Sequence, residues 1–169
     1  MLGSIDLSGL EFSREFELGE GIRVIAIATS LAGGLATFRP DASAIATTPT
    51  GKIVSIQLFD LDEDDISEVL LDELDGKGTG VVSRSFVLYL AGRDGIREAW
   101  RRSSYRAESS WDPGKTSPAP TVETRNFVRF DPGGSGRPPR LAYLPPASKT
   151  RSLDGLSTTL KPLTFRSTR

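Results

Sequence analysis

The chain has 169 residues and a formal net charge of −1, and it contains no cysteine and no histidine. Without these residue types it cannot form disulfides or thiolate metal sites, and it cannot use a cysteine nucleophile or an imidazole acid–base catalyst. That excludes most hydrolase mechanisms and the usual zinc ligands. We therefore expect a non-enzymatic protein with no cofactor.

Charge and proline content divide the chain near Trp111. Residues 1–110 carry eleven basic and eighteen acidic side chains, whereas residues 111–169 carry ten basic and four acidic ones. Nine of the eleven prolines also follow Trp111. Proline removes amide donors, and glycine raises the entropy cost of ordering the chain. The sequence therefore predicts an acidic folded core domain over residues 1–110 and a disordered, basic, Pro/Gly-rich tail over residues 111–169.

Several apolar runs in the core domain are typical of strands. Residues 22–29 are β-branched and apolar on both faces, which favours a buried central strand. Gly33-Gly34 permits a tight reversal into residues 35–38, which predicts a hairpin. Residues 53–59 form a second apolar run, and residues 81–90 place alternate apolar side chains on one face. These elements predict a mainly β core of the β-sandwich or jelly-roll type.

One or two short helices are predicted within this core. Residues 64–75 place apolar side chains at helical spacing, begin with a capping pair and stop before a glycine. Residues 94–106 begin with a capping aspartate and contain an apolar pair, Ile96 and Trp100, four residues apart. In the tail, clustered aromatic and β-branched residues predict one short strand at 122–130.

An acidic stretch in the middle of the chain invites comparison with a calcium loop. Asp60, Asp62 and Asp64 match the first three ligands of an EF-hand. The position of the sharp-turn glycine holds Asp65, however, and the position of the bidentate glutamate holds Leu71. We therefore favour the simpler interpretation, in which the acids stabilise the N-terminus of a helix through its dipole, and we predict no metal site.

Arginines and aromatic residues form the candidate binding site. The segment 97–106 interleaves four arginines with Trp100 and Tyr105, as phosphate-binding surfaces do. The alternative is a solvated face in which Trp100 turns into the core and acidic side chains pair with the arginines. The basic tail resembles an arm that orders on a polyanion, and a tail that serves only solubility fits its composition equally well. The predicted nucleic-acid-binding residues are Arg97, Arg101, Arg102, Arg106, Arg125, Arg129, Arg137 and Arg140.

Three segments of the core carry a recognisable pattern. Residues 54–60 read Val-Ser-Ile-Gln-Leu-Phe-Asp, residues 86–90 form an apolar strand, and residues 94–100 read Asp-Gly-Ile-Arg-Glu-Ala-Trp. Their order and spacing resemble those of the thirty-kilodalton superfamily of plant-virus movement proteins, and the resemblance covers roughly residues 20–105. The resemblance implies binding of single-stranded nucleic acid without sequence preference, passage of viral genomes between plant cells through plasmodesmata, and a fold-supporting role for Asp60.

A virion or phage assembly protein is the competing interpretation. In such a protein a small β core carries an extended arm that threads between neighbouring subunits, and a proline-rich arm suits that role because it loses little entropy on docking. A host-interaction protein from an overlapping reading frame is a third interpretation. The expected partners are accordingly single-stranded nucleic acid, further copies of the chain or other viral proteins.

The expected location follows from the same patterns. No run of about 18 apolar residues is present to span a bilayer, and residues 1–6 lack the basic start and apolar stretch of a signal peptide. We therefore expect a soluble intracellular protein in the host cell cytoplasm and, from the resemblance, at plasmodesmata. For an assembly protein the expected location is the virion.

Overall fold

The computed structural model describes residues 9–41, 43–78, 80–92, 95–108 and 122–146, without the side chains of residues 44, 45, 77 and 78. The described residues contain eleven strands and no helix, and so no apolar helix long enough to cross a membrane. In chain order the strands are β1 (Leu10–Gly19), β2 (Ile22–Thr29), β3 (Gly33–Phe38), β4 (Ala44–Thr50), β5 (Lys52–Phe59), β6 (Glu68–Gly78), β7 (Val81–Gly92), β8 (Gly95–Glu108), β9 (Val122–Arg125), β10 (Phe127–Asp131) and β11 (Arg140–Leu144).

The strands form two sheets and a ribbon. Sheet A has the order β1-β2-β3-β4, sheet B has the order β5-β6-β7-β8-β9, and β10 pairs with β11 in a two-stranded ribbon. Within each sheet and within the ribbon, strands that follow one another in the chain pair antiparallel. Gly51 alone separates β4 from β5, so the chain passes from sheet A to sheet B at one residue. The prediction of a mainly β fold is confirmed.

The first core lies between sheet A and one face of sheet B. Every second side chain of β2 is buried, as expected for a strand with one face against a core. Burial of each large aliphatic side chain contributes about 1.5–3 kcal/mol. The cluster joins Leu18, Ile22, Val24, Ala26, Ala28 and Leu35 of sheet A to Ile53, Val69, Leu71, Val87, Tyr89 and Ile96 of sheet B and to Ile66 of the β5–β6 loop.

The second core lies on the opposite face of sheet B, under the ribbon. The rings of Phe59 and Phe130 have centroids 4.6 Å apart, and Trp100 meets Tyr143 edge to face at 5.9 Å. Sheet B is therefore the middle layer of the described structure. The buried members of the cluster are Leu61, Leu70, Leu88, Trp100 and Leu141, with Phe59, Phe86, Val128, Phe130 and Tyr143 packed against them.

The first predicted helix, residues 64–75, is wrong because β6 begins at Glu68. Val69 and Leu71 face sheet A, whereas Leu70 between them faces the ribbon. A strand that is buried on both faces carries a continuous apolar run, and over a short stretch such a run also satisfies helical spacing.

The second predicted helix, residues 94–106, is wrong because residues 95–108 form the strand β8, which contains a bulge. Tyr89 pairs with Glu98 and Leu88 pairs with Trp100, so Ala99 is an extra residue in the ladder. Ile96 consequently faces the first core and Trp100 faces the second, although even spacing would place them on one face of a regular strand.

The predicted hairpin between β2 and β3 exists, but its turn precedes the glycine pair. The amide of Thr29 donates to the carbonyl of Ala32 over 2.8 Å, and Gly33 already belongs to β3. A β-carbon on Gly33 would lie 2.6 Å from the carbonyl oxygen of Gly51. Glycine is therefore needed here for the close approach of β3 to the chain segment that joins the two sheets.

The predicted tail contains three strands. The region 122–130, where one short strand is predicted, contains β9 and most of β10, and β9 extends sheet B beside β8. β11 forms where disorder is predicted, because Leu141 is buried in the second core at 1% exposure. The parts of the disorder prediction that concern residues 111–121 and 147–169 lie outside the described residues.

Candidate nucleic-acid interface

The four predicted arginines of β8 do not form one cluster. Arg97 pairs with Leu90 and Arg102 pairs with Phe86, which places both arginines on the ribbon side of sheet B. Arg101 pairs with Val87 and therefore lies on the side of sheet A. The bulge at Ala99 places Arg97 and Arg101, which are four residues apart, on opposite sides of sheet B.

Arg101 belongs to an internal ion-pair network. Its guanidinium donates to the fully buried Glu73 at 3.3 Å, to Asp75 at 3.1 Å and to Glu98 at 2.8 Å. The hydrogen bond with Glu98 is the main cause that raises the pKa of Arg101 above its usual range. The same Glu73 accepts the hydroxyl of Tyr89 at 2.9 Å. Arg101 is thus committed to carboxylates within the protein.

Two further predicted arginines have carboxylate neighbours on their own strands. Arg106 pairs with Glu108, and Arg125 pairs with Glu123 at 3.1 Å. Both pairs are exposed, so each stabilises the fold by no more than about 1 kcal/mol. The guanidinium of Arg125 also lies 5.5 Å from the ring centre of Tyr105.

The remaining predicted arginines are exposed and form no ion pair among the described residues. Arg102 lies over the ring of Trp100 at 5.8 Å, a cation–π contact. Trp100 itself is only 8% exposed, so it serves the second core, as the alternative interpretation proposed. These arginines are Arg97, Arg102, Arg129, Arg137 and Arg140.

Arg137 occupies the turn that closes the ribbon. Gly134 and Arg137 exchange backbone hydrogen bonds at 3.1 and 3.0 Å, which closes a tight loop between β10 and β11. A β-carbon on Gly133 would lie 2.3 Å from the carbonyl oxygen of Arg137, and Gly133 has a φ of 76°. Glycine is therefore required at this turn, and the turn fixes the backbone of Arg137 at the tip of the ribbon.

One face of the ribbon is free of the second core. Val128 and Phe130 point toward sheet B, so Phe127 and Arg129, the residues alternating with them, point outward. Phe127 is 60% exposed, unusual for a large aromatic side chain. We call this surface the outer ribbon face; by register it consists of Phe127, Arg129 and Asp131 opposite Leu144, Ala142 and Arg140.

The base of the ribbon is tied to β8. The amide of Asn126 donates to the carbonyl of Ser104, and its side chain donates to the carbonyl of Ser103, both at 2.8 Å. The hydroxyl of Tyr143 donates to the same Ser103 carbonyl at 3.1 Å. These bonds fix the position of the outer ribbon face relative to Arg102.

The acidic stretch forms the β5–β6 loop, not the N-terminus of a helix, so that interpretation is wrong. Asp60 accepts the amide of Asp64 at 3.3 Å, and Glu68 accepts the amide of Leu61 at 2.7 Å. Side-chain oxygens of Asp60, Asp62 and Glu68 lie within 4.8 Å of one another, close enough for one cation to reach them. The two hydrogen bonds hold the carboxylates of Asp60 and Glu68 within the loop, and we assign no metal ion to these three side chains.

Burial, together with the charges of Asp62 and Asp64, raises the pKa of Glu68 to about 7, although the hydrogen bond from the Leu61 amide acts in the opposite direction. Burial and the neighbouring Asp64 raise the pKa of Asp62 as well. Glu68 is not among the site residues predicted from the sequence. The only feature of the sequence that marks Glu68 is its position directly before the apolar residues of β6. Its burial depends on the β5–β6 loop that folds over it, so the burial does not follow from this position.

Comparison of the chain with protein-family models, with curated proteins and with solved structures finds no match.

Proposed function

We propose that the protein is a non-enzymatic binder of single-stranded nucleic acid and that the outer ribbon face carries the binding. The observation that supports this most directly is Phe127, a 60% exposed ring two residues from Arg129 on the same face. Proteins that bind single strands without sequence preference combine aromatic stacking platforms with cations that contact the backbone. The exposed ring of Phe127 offers the aromatic platform, and the arginines without ion pairs offer the cations.

The spacing within the face suits such a ligand. Residues two apart on a strand are separated by roughly 7 Å, so a base stacked on Phe127 leaves its phosphate within reach of the long Arg129 side chain. Arg140 lies across the ribbon on the same face, opposite Asp131. Arg137 lies in the turn at the tip of the ribbon, and Arg102 lies at its base over Trp100, so positive charge is also present at both ends of the ribbon. Phosphate contacts of this kind carry no sequence information, which fits binding without preference.

The movement of viral genomes between plant cells is a more specific form of this proposal. It rests on the resemblance of residues 54–60, 86–90 and 94–100 to movement proteins, and it requires single-strand binding as its mechanism. Asp60 fits the fold-supporting role that the resemblance implies, because its carboxylate accepts the amide of Asp64 within the β5–β6 loop.

A subunit of a viral assembly is the second candidate. β1 pairs with β2 and has no other strand partner in the described part of the chain, so one backbone edge of its ten residues is open. An arm from another copy could pair with that edge. Glu11, Glu15 and Glu17 lie along it, however, and charged residues are a common protection of edge strands against such pairing.

Fluorescence anisotropy with a labelled single-stranded oligonucleotide of mixed sequence tests the proposal. We expect weak binding that falls steeply with salt, because phosphate binding releases counterions. Phe127→Ala should weaken binding by about tenfold, the loss of one stacked base. Arg129→Gln with Arg140→Gln should lower the slope of log affinity against log salt by about 0.7 for each phosphate that is no longer neutralised.

Matched controls come from sheet A. Leu31→Ala removes an exposed apolar side chain, and Arg14→Gln removes an exposed arginine without an ion pair among the described residues. Neither should change affinity or slope. Absence of binding at low salt would overturn the proposal and favour the assembly candidate. Equal binding by the Phe127→Ala variant would remove the outer ribbon face from it.

A further inference from the structure

Three carboxylates of β6 are buried, and their partners differ. Glu73 accepts a hydrogen bond from the guanidinium of Arg101 at 3.3 Å. Asp72 accepts a hydrogen bond from the hydroxyl of Ser104 at 2.7 Å and forms an ion pair with Arg84. Glu68 is only 4% exposed, yet no ion pair among the described residues includes it. It is the one buried carboxylate of this strand without a cation in the described structure.

The charged groups that lie closest to Glu68 are acidic. Asp60 at the end of β5 lies close to it, together with Asp62 of the β5–β6 loop. Asp64 of the same loop adds negative charge. The β1–β2 corner contributes backbone, since the amide of Ser67 donates to the Leu18 carbonyl at 2.6 Å. From β8, Arg97 projects on the same side of sheet B without pairing with Glu68. Desolvation and the like charges of Asp62 and Asp64 therefore oppose ionisation of Glu68, whereas the hydrogen bonds from the backbone amides of Leu61 and Glu68 favour it.

Glu68 also holds the loop against the ribbon. Its carboxyl accepts the amide of Leu61 at 2.7 Å, and the Leu61 side chain is buried in the second core beside Trp100 and Leu141. Phe59, just before the loop, stacks on Phe130 of the ribbon. The inner face of the ribbon thus rests on residues that the Glu68 carboxyl keeps in place, while the outer face of the same ribbon carries the proposed binding site.

We propose that Glu68 is a proton-operated latch for the ribbon. When it is protonated it stays buried and keeps Leu61 in the second core. When it loses its proton to solvent it moves toward water, releases Leu61 and loosens the ribbon, so nucleic-acid binding weakens as pH rises through neutrality. The pH dependence of nucleic-acid binding rests on the proposed function, whereas the movement of Glu68 and Leu61 does not.

Two observations support a response near neutral pH. Burial raises the pKa of Glu68 to about 7. The chain has no histidine and no cysteine, so the groups that ordinarily titrate in this range are absent apart from the terminal amine. A response to pH between about 6 and 8 is therefore attributable to a shifted carboxyl once the terminal amine has been controlled for.

The latch is tested in the free protein through Trp100. The chain has two tryptophans, so Trp111→Phe leaves the buried Trp100 as the single fluorescent reporter. In this background, with a chelator present, the emission of Trp100 should shift to longer wavelength as pH rises from about 6 to about 8. Glu68→Gln should abolish the shift, and the terminal amine is unchanged in that variant.

Two surface variants keep the test decisive if Glu68→Gln fails to fold. Asp62→Asn removes a charge that disfavours ionisation of Glu68, so the midpoint of the shift should move to lower pH. Glu63→Gln, an equal charge change in the same exposed loop, should leave the midpoint in place. A Trp100 spectrum that is constant with pH, or that responds only when a divalent cation is added, would overturn the latch.

Binding measured over the same pH range separates the two proposals. We expect oligonucleotide affinity to fall several-fold with rising pH in the Trp111→Phe protein and to stay constant in the Glu68→Gln variant. A Trp100 shift without any binding supports the latch and refutes the proposed function. Binding that is independent of pH, with a constant Trp100 spectrum, supports the function and refutes the latch.

Discussion

The two faces of sheet B are buried in different ways. Toward sheet A, the core is built mostly from aliphatic side chains of strands that follow one another in the chain. Toward the ribbon, half of the core side chains are aromatic, and β10 and β11 come from residues 127–144. The first face is covered by strands that follow one another closely in the chain. The second face is covered by the ribbon, which comes later in the sequence than residues 109–121 between β8 and β9. We therefore expect the ribbon side to open first.

Substitution of a core leucine by aspartate gives the largest expected effect. Leu88 has 0% exposure and lies in the second core, whereas Ile56 is half-buried at the margin of the first. Leu88→Asp places an uncompensated charge beneath the ribbon, and we expect a loss above about 4 kcal/mol, enough to abolish soluble folding. Ile56→Asp should be milder. Circular dichroism and thermal melting of both variants check this order.

The outcome bears directly on the two faces. If Leu88→Asp leaves a soluble protein with a cooperative melt, the second core is dispensable and the ribbon is only an appendage of sheet B. If both variants fail to fold, the two faces act as one cooperative unit.

The elements that the sequence predicts well are those in which one physical pattern dominates. β2, β5 and β7 carry β-branched or alternating apolar side chains, and no helical interpretation competes with them. β6 is apolar on consecutive positions because both of its faces are buried, and that burial is fixed by the distant ribbon. β8 contains a bulge that no local pattern marks. The arginines of the site are predictable from the sequence, but their division between two faces depends on this bulge.

The outer ribbon face was predictable only in part. The cluster of Phe127, Val128 and Phe130 predicts a strand, but it does not show which of the three residues faces solvent. The residues that face inward are determined by packing against Leu61, Leu88 and the other side chains of the second core, which cover the inner face of the ribbon. The same distant packing buries Glu68, so neither the exposed ring nor the shifted carboxyl follows from local sequence.

Stability should depend on pH through Glu68. The pKa of Glu68 is about 7 in the folded protein against an ordinary value of 4.5, so the folded state binds more protons between these two values. The contribution of Glu68 is therefore fully present below about pH 4.5 and is lost as pH rises toward about 7. The loss is at most about 3 kcal/mol, and less if the loop opens first.

Urea unfolding of the wild type and of Glu68→Gln at several pH values measures this dependence. The difference in free energy of unfolding between the two proteins should change in favour of the variant as pH rises through that window. A difference that stays constant would mean that the pKa of Glu68 is the same in the folded and in the unfolded chain. The ribbon side of sheet B would then tolerate a buried charge as well as the side that faces sheet A.

The smallest expected effects come from one substitution made on each face. Tyr89→Phe removes a buried hydroxyl that donates to Glu73 at 2.9 Å, and hydrogen bonds to charged groups contribute about 1.5–3 kcal/mol. Tyr143→Phe removes a partly exposed hydroxyl that donates to the Ser103 carbonyl at 3.1 Å, where water can replace the donor, so we expect at most about 1 kcal/mol. Tyr89→Phe should lower the melting temperature of the whole protein. Tyr143→Phe should mainly increase amide exchange in β10 and β11, because it loosens the base of the ribbon while sheets A and B stay closed. Hydrogen exchange of both variants separates these effects, and equal global destabilisation by the two would show that the ribbon does not open independently of sheet B.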